Sequence, residues 1–543
     1  MSNLTKLPQP SAGCLPPGVT DQRGLNAFIL RFGDATARAA STAALAHTTN
    51  GDETRYADRS GTYTKTLKQI APGVVDPATF VAFRQALGSS DGNTPGTADF
   101  ENAALMLGDE RKLNGPQGAF AGTLVGADSE TFGDSVVPVP PAVASKEYAT
   151  ELVELYWASL LRDVPFSEYD SNPVALAAAA ELDGLASYAG PRDSSGKVTT
   201  KVLFRGGLTT GSPKRRFFAG ETDGPYLSQF CIQPTTLGAQ PVDQRIASFA
   251  ANVDYMTNFD TWAAVQNGVQ PLIPPEVETQ RRFMHNGRAV ATFTHSDELY
   301  QAYFVAYLAM NTLGIRTNPG NPYLAFKKQQ PFGTFGGPDI AATLGYVARA
   351  AINAVWYQKW VVHLRHRPES GGGIVHLMKS GIGSVDAKVD PIVLNSEALE
   401  QSQQKYGTYL LSQAFPEGSP AHPAYPTGHG TVAGACITVL KFFFDGTATV
   451  PNPVMPAADG LSLLPYGGPA LTVNGELHKL AHNISFGHGI HAGIHWRSDT
   501  DYSLLLGEAV ALSFLQDQAF TYNENFSVTL TKMDGTNAVI ANM

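Results

Sequence analysis

Three segments of the chain carry residue types that together could bind a small tetrahedral oxyanion. The first holds Lys359 and Arg367, the second is Thr427-Gly428-His429, and the third holds His495 and Asp499. Lysine and arginine supply fixed positive charge, a glycine lets its backbone N–H approach the ligand closely, and an imidazole can attack or ligate the central atom. Asp499 is spaced to fix the tautomer of His495. The sequence therefore predicts an oxyanion pocket.

Histidines concentrate around these three segments. Ten of the thirteen lie between His363 and His495. A single histidine is usually a structural residue, but the clustering beside Lys359 and Arg367 favours function for two of them. We assign His429 as the acid/base and His495 as the nucleophile or the ligand of a metal oxide.

A divalent metal site is an alternative use of the same region. His488, His491 and His495 are spaced to share one face of a helix, and imidazoles are good ligands for zinc and similar ions. Gly487 and Gly489 make a poor helix interior, however, and no carboxylate lies beside them. The spacing therefore favours the oxyanion pocket.

Bulk composition narrows the classes of partner. The chain has 543 residues, 43% of them hydrophobic and 16% charged, with a net charge of −10. This is a globular composition, and the negative charge argues against nucleic acid as a partner.

Cys14, Cys231 and Cys436 are too widely spaced to suggest a disulfide framework or a metal site. The N-terminal residues lack a signal-peptide pattern and no window is apolar enough to span a membrane, so we expect a cytoplasmic protein.

Helices are predicted to position the pocket. Asp339 is a plausible N-cap for a helix over 340–360, which places Lys359 near its end. A helix over 431–444 begins just after His429, and its free N–H groups suit an anion. Another helix covers 498–515, and the tail from about 526 to 540 reads as a small β-hairpin. The first hundred residues read as short elements joined by long connections.

At these residues the chain resembles the vanadium-dependent haloperoxidases and, more distantly, the acid phosphatases that share their anion site. The family pattern is Lys, about seven residues, Arg-Pro; then Pro-Ser-Gly-His; then Arg, five residues, His, three residues, Asp. The matching positions are Lys359, Arg367, Pro368, Pro426, Gly428, His429, His495 and Asp499.

This resemblance covers residues 290–515 well and residues 1–289 weakly, and it leaves residues 516–543 as a tail with the hairpin. It implies an all-α fold, with a haloperoxidase-like pair of four-helix bundles in one domain. It also implies that vanadate, where it is used, binds to His495.

Two positions depart from the family pattern. Thr427 replaces the serine, which keeps the hydroxyl and adds a methyl group. Six residues before His495 stands Gly489, where the family has its second arginine. A lost charged hydrogen bond weakens anion binding by about 1.5–3 kcal/mol. His488 could stand in when protonated, but it is shorter than arginine and one position away. The sequence therefore predicts a degraded vanadate site.

The leading functional hypothesis follows from that degraded site. The resemblance extends to the actinobacterial branch, which acts on prenylated hydroxynaphthoquinones in meroterpenoid biosynthesis. It implies a non-redox α-hydroxyketone rearrangement, a 1,2-prenyl shift that needs no cofactor. His429 or His422 would be the base and Lys359 or Arg367 would lie near the carbonyl. Phe332 and Phe335 would help to hold the substrate.

Two other hypotheses remain open. One is a working vanadium-dependent chloro- or bromoperoxidase that uses hydrogen peroxide and halide, with His488 in the place of the arginine and vanadate on His495. The other is a catalytically silent homologue that binds only a ligand. A phosphate-like anion in the remaining pocket and a homodimer are compatible with each hypothesis.

Overall fold

The computed structural model describes residues 7–11, 18–19, 21–41, 46–88, 96–101, 107–210 and 215–542. Cys14 and residues 1–6, on which the signal-peptide prediction rests, lie outside the described residues. In the described ranges, α-helices dominate and strands occur only as short pairs. None of the helices described is both long and apolar enough to cross a bilayer.

The α-helices of the described residues are numbered in chain order. They are α1 Gln22–Ser41, α2 Asp52–Arg55, α3 Pro77–Ala86, α4 Thr97–Glu101, α5 Lys146–Leu160, α6 Pro173–Gly184, α7 Phe259–Gln266, α8 Gly287–His295, α9 Gln301–Thr312, α10 Gly337–Tyr357, α11 Pro368–Ser380, α12 Pro391–Leu394, α13 Glu397–Tyr406, α14 Gly428–Phe443, α15 Val473–Phe486 and α16 Arg497–Ala519.

The strands pair as antiparallel hairpins. They are β1 Gln69–Ala71 with β2 Val74–Val75, β3 Thr209–Thr210 with β4 Arg215–Arg216, β5 Thr235–Leu237 with β6 Gln240–Val242, β7 Val454–Pro456 with β8 Leu463–Pro465, and β9 Ser527–Thr531 with β10 Asn537–Ala541. The last pair, in which Val539 lies opposite Thr529, confirms the predicted C-terminal hairpin.

Two groups of helices surround two hydrophobic cores. The first core lies mainly among α9, α10, α14, α15 and α16, and all side chains of α14 are buried in it. The second core lies mainly among α5, α6, α11 and α13. The arrangement agrees with the predicted all-α fold built from a pair of helix bundles. The predicted short elements of the first hundred residues are only partly correct, because α1 is 20 residues long.

The helices near the pocket begin earlier than predicted. Helix α10 has Gly336 as its N-cap, so the assignment of Asp339 as N-cap is wrong. Asp339 lies within the first turn, where its carboxylate accepts a hydrogen bond from the N–H of Phe335. Pro338 is tolerated there because the first helical N–H groups have no intrahelical partner. Helix α14 begins at Gly428, which places His429 in its first turn.

Two π-helical turns interrupt the helices that lead to the pocket. One, Gln358–His363, continues α10 and carries Lys359. The other, Gly487–His491, continues α15 and carries His488. In the second turn the N–H of Ala492 donates to the carbonyl of Gly487, five residues back, at 3.1 Å. A π turn therefore spans five residues between the bonded carbonyl and N–H, one more than an α turn.

Candidate active site

His495 lies at the centre of the pocket and is fully buried. Its Nδ1 lies 2.9 Å from Oδ2 of Asp499, and its Nε2 lies 2.7 Å from Nη1 of Arg367. A guanidinium can only donate, so Nε2 is the acceptor and the proton is on Nδ1. Asp499 therefore fixes the tautomer as predicted, and the lone pair on Nε2 faces Arg367.

Asp499 is itself held by a residue that the sequence did not single out. Arg365 donates through Nη1 to Oδ1 of Asp499 at 2.7 Å and through Nη2 to Glu151 at 3.0 Å. Burial raises the pKa of Asp499 above its ordinary value, and the positive charge of Arg365 opposes this shift. Arg365 lies only two residues from Arg367. Residue type alone therefore does not distinguish the arginine that holds Asp499 from the arginine that contacts His495.

Lys359 and Arg367 are buried cations that contact no carboxylate among the described residues. Lys359 donates from Nζ to the carbonyl oxygens of Pro423 at 2.9 Å and Ala424 at 2.7 Å. Burial lowers the pKa of Lys359 well below its usual range and that of Arg367 to about 10. The positive charge of Arg367 lowers the pKa of Lys359 further. An anionic ligand would relieve both effects.

His429 pairs with an acidic residue that the sequence analysis missed. Its Nε2 donates to Oδ1 of Asp297 at 2.9 Å, which leaves Nδ1 as the nitrogen that can gain or lose a proton. Asp297 follows the end of α8, far from His429 in sequence, and no motif signals it. The N–H of Thr427 donates to the carbonyl of Asp499 at 3.0 Å and so joins the second and third segments.

His488, which the sequence offered as a stand-in for the second arginine, lies inside the pocket. Its ring stacks on that of His429 with centroids 3.8 Å apart, and its centroid lies 5.7 Å from that of His495. Burial lowers the pKa of His488 well below its ordinary value, and the charges of His429, Arg367 and Lys359 lower it further. Its Nδ1 has no hydrogen-bond partner among the described residues.

The position that the family pattern assigns to arginine has no room for a side chain. A Cβ added to Gly489 would lie 2.8 Å from Cγ2 of Thr500 and 3.2 Å from Cβ of His495. Gly489 therefore carries no side chain toward the pocket, whereas His488, seven residues before His495, does reach it from the π turn. The degraded vanadate site stays a prediction.

The remaining predicted residues also border the pocket. Nδ1 of His422 lies 3.0 Å from Nη2 of Arg367, and its ring packs on Trp356. Burial and the charges of Arg367 and Lys359 hold the pKa of His422 well below its ordinary value. The hydroxyl of Thr427 is buried without a partner among the described residues. Gly428 opens α14, where backbone N–H groups lack intrahelical partners.

The alternative of a three-histidine metal site is wrong. The ring of His491 packs against Phe204, and its Nε2 lies 2.8 Å from the hydroxyl of Tyr226, whereas His488 stacks on His429. The two histidines of the π turn thus contact different elements. Among the described residues, no group of three or more His, Cys, Asp or Glu is placed to hold a metal ion.

The two phenylalanines proposed to hold a substrate have different surroundings. Phe335 is 3% exposed and packs against Phe442, Phe443 and Phe526 in the core. Phe442 lies thirteen residues beyond His429 on α14, about 20 Å along the helix. Phe332 is 73% exposed. The assignment of Phe335 as a substrate contact is therefore wrong, and that of Phe332 stays a prediction.

Comparison with known proteins identifies the family. No family model matches the chain. A vanadium-dependent bromoperoxidase of Ascophyllum nodosum is 33% identical over 527 residues, which cover 94% of this chain and 90% of the relative. This chain belongs to the vanadium-dependent bromoperoxidase family. A second member of that family, from Corallina pilulifera, is 32% identical over 548 residues, 87% of this chain and 90% of its own.

A solved structure agrees with this assignment to the bromoperoxidase family. The second vanadate-dependent bromoperoxidase of Ascophyllum nodosum, a homohexamer, matches with a TM-score of 0.86 and 27% identity. The match covers 98% of this chain and 94% of that one. The predicted fold and the predicted relation to haloperoxidases are confirmed. The actinobacterial meroterpenoid branch stays a prediction.

Proposed function

We propose that the protein is a working vanadium-dependent bromoperoxidase that uses hydrogen peroxide to oxidise bromide. The observation that carries this proposal is the stacking of His488 on His429, close to His495, Arg367 and Lys359. His488 thereby takes the part that the second arginine plays in the family pattern. The bromide preference rests on the relatives, which are bromoperoxidases.

The pocket residues fit vanadate on their own chemistry. Lys359 and Arg367 are buried cations without a contacting carboxylate in the described chain, and Thr427 and His488 each have a buried polar atom without a partner there. Buried groups of this kind are stabilised by an anion with several acceptor oxygens. His495 offers a lone pair on Nε2, because Asp499 holds the proton on Nδ1.

Each pocket residue has its own role in the proposed reaction. His495 would hold vanadate, which when bound supplies the centre that activates hydrogen peroxide toward halide. Lys359 and Arg367 compensate the negative charge of the oxyanion, and the first N–H groups of α14 can donate to its oxygens. His429, oriented by Asp297, exchanges a proton with the incoming peroxide through Nδ1.

His488 is a conditional replacement for an arginine. In the ligand-free pocket its lowered pKa makes it neutral, because burial and the positive neighbours disfavour the imidazolium. A bound oxyanion adds negative charge beside it and raises its pKa. Protonation of His488 is therefore coupled to anion binding, and a doubly protonated imidazole can then donate to the oxyanion.

The rearrangement of a prenylated hydroxynaphthoquinone is less well supported by the same geometry. His422, one of the two bases suggested for it, has a strongly lowered pKa beside Arg367 and Lys359, which makes it a weak proton acceptor. Phe335, one of the two aromatic residues assigned to its substrate, is buried in the core against Phe442. A prenylated aromatic compound remains a candidate acceptor for the oxidised bromine.

The deciding experiment measures vanadium retention and bromination together. The purified protein is incubated with vanadate, dialysed, and tested for stoichiometric vanadium and for bromination of a phenolic reporter that requires both peroxide and bromide. His495→Ala should lose both properties. Turnover of a prenylated hydroxynaphthoquinone without vanadate or peroxide, in protein that retains no vanadium, would contradict the proposal and favour the rearrangement.

The state of assembly and the location are also proposals. The structural relative is a homohexamer, so we infer that this chain self-associates, and the predicted homodimer would be one building block of such an assembly. Light scattering coupled to size exclusion would measure the mass directly. A cytoplasmic location stays a prediction.

A further inference from the structure

A second cavity lies outside the anion pocket, with a volume of about 420 Å³. Its walls come from the hairpin β7–β8, the 3₁₀ turn Phe166–Glu168 and the segment 222–227. The volume falls in the range of sites that bind small organic molecules. None of its lining residues belongs to the predicted anion site.

Aromatic rings form much of this wall. Phe166 stacks on Tyr226 with centroids 3.7 Å apart and the ring planes inclined by 12°. Tyr169 meets Phe166 edge to face at 5.6 Å, and Tyr466, just after β8, also lines the cavity. Flat, rigid side chains of this kind favour a planar aromatic ligand.

The charged lining residues favour an anionic group on that ligand. Arg205 and Lys201 both line the cavity, and Asp170 is the carboxylate among its lining residues. Asp170 already accepts a hydrogen bond from the hydroxyl of Thr200. The guanidinium of Arg205 lies 5.1 Å from the centroid of the Tyr226 ring, so positive charge and aromatic surface are adjacent.

Two polar atoms on the lining residues are not satisfied within the described chain. Arg205 is 6% exposed and donates to the carbonyls of Glu221 and Gly224, but its Nε has no partner. Tyr169 is 3% exposed, and its hydroxyl also has none. Both atoms are buried behind the cavity wall, so they add polar character beside the cavity but are not contacts for a ligand.

We propose that this cavity is a binding site for a small aromatic acid, a single ring that carries a carboxylate. The ring lies against Phe166, Tyr226 and Tyr466, and the carboxylate lies toward Arg205 and Lys201. The site does not depend on the function proposed for the anion pocket, because it shares no side chain with it.

The cavity is nevertheless connected to the π turn that carries His488. The hydroxyl of Tyr226 donates to the carbonyl of Phe204 at 2.6 Å and lies 2.8 Å from Nε2 of His491. The phenol has one proton, so His491 is the donor in the second contact. A ligand on the Tyr226 ring therefore rests on a residue that anchors His491, the last residue of the turn.

Isothermal titration of the full chain with 4-hydroxybenzoate tests the proposal. We expect one molecule bound per chain, and about tenfold weaker binding in Lys201→Glu, because the exposed lysine can be reversed in charge without disturbing the core. Lys327→Glu, at an exposed position that does not line the cavity, is the matched control and should bind as the parent does. Neutral p-cresol should bind with equal affinity to the parent and to Lys201→Glu.

Three outcomes would overturn it. They are the absence of binding up to the solubility limit of the probe, equal affinity of the parent and Lys201→Glu for the acid, and displacement of the acid by inorganic phosphate. Displacement would mean that the acid occupies the pocket of Lys359 and Arg367 instead. Retention of the acid in saturating phosphate supports a separate site.

Discussion

The imidazole of His488 stacks on that of His429, with ring centroids 3.8 Å apart and ring planes inclined by 25°. Two buried imidazoles in this arrangement cannot both be positively charged without strong repulsion, unless a negative charge lies between or beside them. The pair is thus suited to a pocket that binds an oxyanion and takes up a proton with it.

Replacing His488 with arginine should strengthen vanadate binding and flatten its pH dependence. In the parent, the pKa of His488 is lowered in the free protein and rises when the anion binds, so binding takes up a proton. Affinity therefore falls as the pH rises between these two pKa values. A permanent charge avoids this loss, and we expect about ten- to a hundredfold tighter binding near pH 8.

Equilibrium dialysis of vanadate at about pH 6 and pH 8 measures this effect. His47→Gln, remote from the pocket, serves as the control for loss of a histidine. Identical pH slopes for the parent and His488→Arg would show that His488 does not titrate with the anion.

Asp499→Asn should weaken vanadate binding by about ten- to a hundredfold. The amide can donate to Nδ1 of His495, which moves the imidazole proton to Nε2 and blocks the lone pair that would ligate vanadium. Asp501→Asn is a matched control, because Asp501 is also buried on α16 but pairs with His482. Dialysis gives the affinities and thermal melting reports on folding. Equal losses in the two variants would contradict the tautomer argument.

Asp297→Asn should lower kcat of bromination by about tenfold or more, and His429→Ala by about a hundredfold or more, while vanadium remains bound. The carboxylate orients the imidazole and stabilises its protonated form. Glu417→Gln is the control, since Glu417 pairs with His295 through a similar contact of 2.7 Å. Vanadium content, kcat and KM are measured on the same samples. A pure rise in KM for Asp297→Asn would assign that residue to binding.

Lys65→Met should destabilise the fold by about 3–5 kcal/mol. Lys65 is buried and donates to Glu369 at 2.8 Å and to the carbonyl of Ser419 at 2.6 Å, so its loss leaves a buried carboxylate without its cation. The double variant Lys65→Met with Glu369→Leu should recover much of this loss. Thermal melting compares them with Arg245→Ala, which removes an exposed pair with Asp243. A double variant less stable than the single one would contradict the prediction.

The fold class and most of the pocket could be predicted because they are indicated by residue types and by their spacing within short segments. Lys359, Arg367, His429 and His495 are recognisable by residue type and order along the chain. Asp297 and Arg365 were not singled out, because their roles arise only when distant segments meet. Phe335 was misassigned because a run of aromatic residues is equally typical of a core and of a ligand pocket.

His488 shows a different limit. The sequence identifies this residue, but the position of its side chain is predicted from the spacing of a regular α-helix. The hydrogen bond from Ala492 to Gly487 changes that spacing. The sequence analysis treats Gly487 as a weak helix former and Gly489 as the position of a missing arginine. A π turn has no sequence signature as clear as a capping residue or a proline, so the sequence alone does not predict this turn.

The π turn at Gly487–His491 also bears on how such sites diverge. An added residue normally rotates everything that follows it in a helix by about 100° and would scramble the pocket. Here the widened turn is local, and the chain still brings His495, just before α16, to within 2.9 Å of Asp499 in the first turn of that helix. A widened turn can thus bring a side chain to a site from a position that regular helical spacing would direct elsewhere. A sequence search that demands fixed spacing would miss such a residue.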